Sequence, residues 1–454
     1  MRKLFCAFVL LLSGCASVDY SQRSTQGDAS VGEIPATWQT AQAVVGDIEV
    51  DWVAAFEDDV LSDLVEEALV YNRDLQAAAA SVDRAWALAR QAGAAVKPSV
   101  GFSAGGEDSG TADGGANATT LNVGLQASWE LDLWGRIAAG EGAAVASAEA
   151  AEADYRYAQH SLAAGVSRAY FIALEALQQV ETAQNVVDAL EQTLRIVDLQ
   201  FQEGIATAQD VALTRGDLAS AKEALIATQG GQRDALRALE ILLGRYPSAE
   251  VSIGLALPEP PAQPPAGIPS SLLERRPDLI AAERRIAASV AGLDQAKAAR
   301  LPQVSLSANL GGSSSELSDL LDPANILWRA ASNLLVPVID GGARKAQVEV
   351  ADADQEAAVA AYAQAALNAF GEVEQALDQG EVLTQRIDNL NQARDEAGEA
   401  LRLARLRFDE GETDLLDVLT IQQRFFGRQS SLVSLRRSLL EQHIDLNLAL
   451  GGRW

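Results

Sequence analysis

The chain has 454 residues, with 63 acidic against 35 basic side chains, a formal charge of −28, two cysteines and two histidines. This balance argues against nucleic acid as a partner, because binding phosphates needs clustered Lys and Arg. It suits a solvated periplasmic object, or a lumen whose field favours cations.

The chain opens as an export signal. Arg2 and Lys3 precede an apolar run over residues 4–12, closed by Leu12-Ser13-Gly14-Cys15. The run is too short for a stable transmembrane helix and ends in small residues, so 1–14 is expected to be a removable signal peptide. Leu-Ser-Gly-Cys resembles a bacterial lipobox, which makes Cys15 the expected lipidated first residue; the alternative is an ordinary secretory signal. Ala16 is not the aspartate associated with inner-membrane retention, which favours the outer membrane. Cys6 lies in the signal, so the mature chain keeps one cysteine and has no internal disulfide. A covalent lipid on Cys15 is the only non-protein group expected, with no cofactor and no metal. No later segment reads as a transmembrane helix.

Residues 15–50 read as a lipidated linker rich in Ser, Gly and Thr. A first repeat spans 51–257, a Pro-rich tie 258–270 and a second repeat 271–454. Helical patterning is expected over about 61–96 and again over about 272–300. Strands are expected at about 98–105 and 121–133, then at about 302–311 and 327–338, with polar loops at 107–118 and 312–325. Over 121–133 every odd position is apolar and the even positions are polar or glycine. A strict period of two puts one face against an apolar medium and the other against water. A tilted membrane strand needs about 9–11 residues, and a soluble sheet with one buried face is the alternative.

Two long helical stretches follow the strands. No proline occurs between Gly135 and Pro247, and Ala, Glu, Gln, Leu and Arg dominate. The span to Phe201 predicts roughly 100 Å of helix at 1.5 Å per residue, and the span from Gly342 to Phe408 predicts nearly the same. Phe201-Gln-Glu-Gly204 and Phe408-Asp-Glu-Gly411 break the pattern, with glycine suited to a left-handed C′ position, and a returning helix follows each. Phe201 and Phe408 are expected to anchor the tip turns by packing.

These features recur. Phe201, Asp210 and Leu243-Gly244 match Phe408, Asp417 and Leu450-Gly451; Asp74-Leu75 and Pro98 match Asp278-Leu279 and Pro302, at offsets of about 204 to 207 residues. Such a duplication implies two equivalent structural units about a pseudo-symmetry axis. Four strands cannot close a barrel, and open edges are not tolerated in lipid, so the chain is expected to oligomerise.

Trp129-Glu-Leu-Asp-Leu-Trp-Gly-Arg136, Glu274-Arg-Arg-Pro-Asp278, Pro337-Val-Ile-Asp-Gly-Gly342 and Arg407-Phe-Asp-Glu-Gly411 resemble the signatures of TolC-like outer-membrane efflux proteins. The resemblance covers essentially the whole mature chain and is similar in kind to the lipoprotein branch of multidrug efflux systems. It implies a homotrimer with a twelve-stranded outer-membrane β-barrel, four strands per chain, continued by a periplasmic α-helical barrel. It also implies a periplasmic adaptor protein and an inner-membrane efflux pump of the resistance-nodulation-division type as partners. The chain would then be a passive exit duct and not an enzyme. Protein secretion of type I and metal or solvent efflux remain alternatives, as does, from another class, a structural coiled-coil envelope lipoprotein. That last reading leaves the four amphipathic strands unexplained.

No catalytic constellation is present. His160 and His443 lack metal-ligand spacing, and Gly311-Gly312 opens no helix. In the family the resemblance points to, carboxylates at the helical tips form a ring constricting the periplasmic entrance. Asp210 and Asp417 fall at matching motif positions, and Asp414 is a third candidate. Thr420 stands where the family often has a further aspartate, and Thr413 where it sometimes has an arginine, so the gate is expected to be held differently. The competing expectation is structural: Thr207-x-x-Asp210 as a capping box and Asp414 as a helix cap.

Overall fold

The computed structural model describes residues 34–40, 51–110 and 118–452. Cys15, the expected signal peptide and most of the expected linker lie outside the described residues.

The chain divides into two compact units, and neither is a sequence repeat. One is built from Ser81–Ala153 and Ile280–Ala365, the other from Glu33–Ala80, Asp154–Leu279 and Ala366–Trp454. Each unit therefore draws on both repeats.

The first helical region is two helices, α1 (Asp59–Tyr71) and α2 (Arg73–Ala94), where the pattern predicts one. Asn72 between them is extended, and its Oδ1 accepts from Leu75 N at 2.9 Å, so its side chain caps α2 and ends the run. After α2 come β1 (Ser99–Ser109) and β2 (Ala118–Leu131), then α3 (Arg136–Gln202) and α4 (Ala208–Leu242). The second half repeats the order: a one-turn α5 (Leu272–Arg275), α6 (Pro277–Ala298), β3 (Gln303–Ser314), β4 (Ile326–Leu335), α7 (Ala343–Asp409) and α8 (Leu415–Ala449). Here too the helix is divided. Arg276 precedes Pro277, whose ring disfavours helical geometry in its predecessor, and Arg276 is extended with ψ 121°. Both α3 and α7 have 67 residues.

Three strands run further toward the loops than the pattern predicts, to Ser109, from Ala118 and to Ser314. In contrast β4 stops at Leu335, short of the expected 338. Pro337 has no N–H to donate to a ladder, which ends the pairing there.

In the second unit the core joins Trp52, Phe56, Leu61, Tyr170, Phe171 and Leu239. On α1, Leu61, Leu64, Val65 and Ala68 form a single stripe at helical spacing, all buried. Burying one such leucine is worth about 1.5–3 kcal/mol. Asp58 fixes the start of that helix: Oδ1 accepts from Leu61 N at 3.1 Å and Oδ2 accepts from the Tyr170 hydroxyl at 2.7 Å. Burial, and then this bond to Asp58, push the Tyr170 phenol above its ordinary pKa. Along α3, Ala163, Ala164 and Ala173 are fully buried, where only a small side chain lets a neighbouring helix come close.

Residues 34–40 dock on the same unit. Trp38 is buried and its Nε1 donates to Ala266 O at 3.1 Å, while Glu374 accepts from the Thr40 hydroxyl at 2.6 Å and from Gln39 N at 2.7 Å. Glu240 does similar work: it accepts N–H bonds from Ala249, Glu250 and Val251 at 2.7, 2.8 and 3.0 Å. Burial alone would raise its pKa, but those donors outweigh burial and hold the carboxyl below the usual range.

Candidate functional site

The sheet is wholly antiparallel in the order β1-β2-β3-β4. Its register places Phe102, Leu125, Leu310 and Trp328 on one rung, and Gly101, Gln126, Asn309 and Arg329 on the next. Successive rungs point to opposite faces, so one face is largely apolar across the four strands. The other is polar or glycine over most of β1, β2 and β3 and mixed on β4, where Leu327, Ala331 and Leu335 accompany Arg329 and Asn333. Phe102 is 69%, Leu125 48%, Leu310 51% and Trp328 79% exposed in the single chain. A protein that ended at this surface would leave both an apolar face and two unpaired edges, β1 and β4, to water.

The strand ends are held by motif residues whose local roles the sequence alone did not assign. Trp129 Nε1 donates to Val96 O at 2.8 Å and Trp134 Nε1 to Pro302 O at 2.6 Å. Arg136 makes a two-nitrogen contact with Glu130, and Asp132 Oδ2 accepts from Ala138 N at 2.7 Å at the start of α3. Asp340 does the same for α7, accepting from Gly342 N at 3.0 Å and Arg344 N at 3.2 Å. The Trp129–Arg136 and Pro337–Gly342 motifs are thus strand-to-helix joints. A paired acid–base and a capping acid at fixed spacing was the signal available for them.

At the other helix ends, α3 and α7 close with the same motif. Gly204 N donates to Phe201 O at 3.1 Å and Ile205 N to Gln200 O at 2.8 Å; Gly411 N donates to Phe408 O at 3.0 Å and Glu412 N to Arg407 O at 2.8 Å. This is the Schellman pattern, which needs a left-handed C′ residue; Gly204 and Gly411 have φ of 78° and 77°. The two phenylalanines part company. Phe408 is 8% exposed, packed with Val197, Val211, Leu401, Leu415 and Val418, whereas Phe201 is 47% exposed. Phe408 anchors the tip, and Phe201 does not do so within the single chain.

The three aspartates have different local partners. Thr207 and Asp210 form a reciprocal capping box: Asp210 N donates to Thr207 Oγ1 at 3.2 Å, and Thr207 N donates to Asp210 Oδ2 at 2.8 Å. The Thr207 hydroxyl and backbone together hold the Asp210 carboxyl below the usual range. Asp414 occupies the N-cap position of α8 without a side-chain capping bond. Asp417, exposed in the first turn of α8, accepts from the Thr413 hydroxyl at 3.0 Å. Thr413 therefore orients the carboxylate without neutralising it.

Of the histidines, His443 is buried in α8, and burial pushes it down to about 4. Among the described residues no cluster of three or more His, Cys, Asp or Glu could hold a metal ion, and no described helix is long and apolar enough to cross a membrane.

The outer membrane efflux protein profile matches residues 64–245 and 268–452. The chain belongs to that family. It is 32% identical over 422 residues to the pyoverdine export outer membrane protein OpmQ of Pseudomonas aeruginosa, covering 89% of this chain and 87% of the relative. It is 30% identical over 407 residues to the cation efflux system protein CusC of Escherichia coli, covering 89% and 88%. Among solved structures, the outer-membrane channel OprN superposes with a TM-score of 0.85 at 29% identity, over 92% of this chain and 97% of that one. The open state of the Neisseria gonorrhoeae MtrE outer membrane channel gives 0.81 at 29%, over 92% and 96%. This family member is an outer-membrane exit duct for efflux.

Proposed function

We propose that the chain works as a homotrimer in which three four-stranded sheets close into a twelve-stranded outer-membrane barrel. The paired helices α3–α4 and α7–α8 line a periplasmic tunnel. Cargo enters from an inner-membrane pump of the resistance-nodulation-division type through a periplasmic adaptor and leaves without covalent change. The observation that carries this reading is the exposed apolar rung Phe102–Leu125–Leu310–Trp328 between two open edges. In lipid both features become favourable only if the edges are closed by further strands, and three chains supply an allowed count.

Cys15 carries the lipid in this reading and tethers the 15–50 linker to the inner leaflet, with the closed barrel as the stronger anchor. The aspartates at the tips shape the entrance. Three copies of Asp417, exposed and unneutralised, make a negative field near the trimer axis, with Asp210 and Asp414 contributing beside it. Relatives named for pyoverdine export and for cation efflux share this fold with chemically unlike cargo, which favours a duct whose substrate is chosen by the pump. The test is the particle mass in detergent. Three copies are expected, and a stable monomer that still inserts into membranes would sink the barrel.

A further inference from the structure

The two free edges carry complementary charges on the same face. Odd-numbered residues of β1 and β4 share the polar face, since Gly101 and Arg329 lie on one rung with Gln126 and Asn309. Arg329 is the one basic residue in the four strands. The acids of the polar face are Glu107 and Glu130, and Glu130 is taken by Arg136 at 2.9 Å. Asp108 lies on the other face and accepts from the Thr119 hydroxyl at 3.0 Å. This leaves Glu107 on the β1 edge and Arg329 on the β4 edge.

We propose that each barrel seam pairs β4 with β1 of a second copy so that Arg329 lies opposite Gly105 of the partner subunit and reaches Glu107 of the partner subunit. The inference rests on the trimeric barrel proposed above. Matching faces require odd residues opposite odd residues, because a slip of one exchanges the apolar and polar sides. Within that rule, setting Leu335 opposite Ser99 of the partner subunit pairs all 10 residues of β4 with the 11-residue β1. Arg329 then falls on Gly105.

Barrel closure is consistent with the same register. A rung followed across one chain runs from Gly101 to Arg329, and across the seam it arrives four residues further along β1. Three seams give a total stagger of about twelve, equal to the strand number. A stagger equal to the strand number tilts strands by about 36°, as in an eight-stranded barrel, and membrane barrels tilt by about 35–45°. A step of two residues per seam would tilt the strands by only about 20°, whereas a step of six gives about 47°, just above that range, so closure rules out the smaller step and strand length favours four over six.

The side chains fit this register. Gly105 has no side chain, and a Cβ there would meet nothing within 4 Å, so the Arg329 chain can cross it. Glu107 is then the diagonal neighbour on the same face, within reach of a long side chain. On the lipid side the register sets Trp328 opposite Gly106, and Phe102 opposite Ser332, large against small. A solvated pair of this kind adds little stability; it disfavours the slip that sets Arg329 opposite Ser103, which draws the charges apart, while the opposite slip would carry Ile326 past the end of β1 at Ser109.

Cross-linking decides it. Cys6→Ser with Cys15→Ser removes both cysteines of the chain and provides a cysteine-free background. Gly105→Cys with Arg329→Cys should oxidise to a covalent trimer on a non-reducing gel, and Ser103→Cys with Arg329→Cys should stay monomeric on that gel. An intact trimer without the 105–329 cross-link, or one cross-linked through the 103–329 pair, overturns the register while leaving the barrel. A monomeric particle overturns the barrel and the register together. In the otherwise native chain, Arg329→Glu should lower the temperature at which the trimer dissociates, and adding Glu107→Arg should restore it. Absence of that restoration overturns the ion pair.

Discussion

Asn72 and Arg276 stand at equivalent places in the two repeats and do one job with different chemistry. Asn72 Nδ2 donates to Leu242 O at 2.9 Å, at the end of α4, and Arg276 Nη1 donates to Ala449 O at 3.2 Å, at the end of α8. Both side chains are buried, and each satisfies a helix-end carbonyl that has no partner inside its own helix. The glycines that follow those ends also correspond. A Cβ on Gly244 would meet Tyr71 O at 2.4 Å, and one on Gly451 would meet Arg276 Cγ at 3.2 Å. Arg276 does more than its counterpart: it grips Asp278 through two nitrogens and Glu372 at 2.6 Å. Burial works against the guanidinium charge, but these carboxylates outweigh it and hold its pKa above the ordinary value.

Arg276→Ala should therefore cost more than Asn72→Ala. Removing the arginine leaves the Ala449 carbonyl and the partly buried Asp278 carboxylate without their partner, at about 1.5–3 kcal/mol for each charged hydrogen bond lost. Removing the asparagine leaves one carbonyl and one cap unmade, at about 1–3 kcal/mol. Thermal unfolding of the detergent-solubilised protein checks the order; equal losses would show that the carboxylates are satisfied without Arg276.

Asp417→Asn and Asp417→Ala should lower cation preference, or raise conductance, in single-channel recordings of an intact trimer. The effect should weaken with salt, over a Debye length of about 10 Å at 0.1 M. If Asp417 only complements its helix dipole, the same changes cost about 0.3–1 kcal/mol of local stability and leave conduction alone. Unchanged selectivity across a wide salt range would move the gate elsewhere on the tip.

Cys15→Ser should abolish acylation, read by mass spectrometry of the mature N-terminus, and leave the trimer in the outer-membrane fraction. Closed strands hold a protein in lipid more firmly than acyl chains do. Loss of membrane association in an exported, folded variant would count against the barrel.

His443 gives a pH signature. Its folded pKa of about 4 lies below the ordinary value of 6.5, so the unfolded chain takes up the proton first as pH falls. The stability gained by keeping it neutral is complete above about pH 6.5 and is lost progressively down to about pH 4, roughly 3 kcal/mol in all. His443→Gln should flatten that part of the wild-type stability curve. Parallel curves for the two proteins would show that the imidazole is charged in the folded state.

Much of this was legible because the signals are local. A period of two from 121 to 133 specifies an amphipathic strand, a proline-free run specifies a long helix, and Phe-x-x-Gly specifies its stop. Each depends on residues within one or two turns. The capping box of Thr207 and Asp210 is legible for the same reason. The split at Asn72 was less so, since a mid-pattern asparagine is unremarkable until its side chain is seen to cap α2 and hold the end of α4, 170 residues away.

What the sequence determined by itself was therefore the elements, their order and their duplication, all consequences of short-range backbone preference and side-chain period. Tertiary structure decided the rest. It buried Phe408 and not Phe201 within the single chain, because Val197, Val211, Leu401, Leu415 and Val418 gather around the second tip ring. Arg276 became a clamp only when Asp278, Glu372 and the end of α8 met around it. The strand register, too, exists only between strands distant in sequence, and it brought Gln126, Asn309 and Arg329 onto one rung. Such contacts are set by packing and by the satisfaction of buried polar groups, which no local pattern encodes.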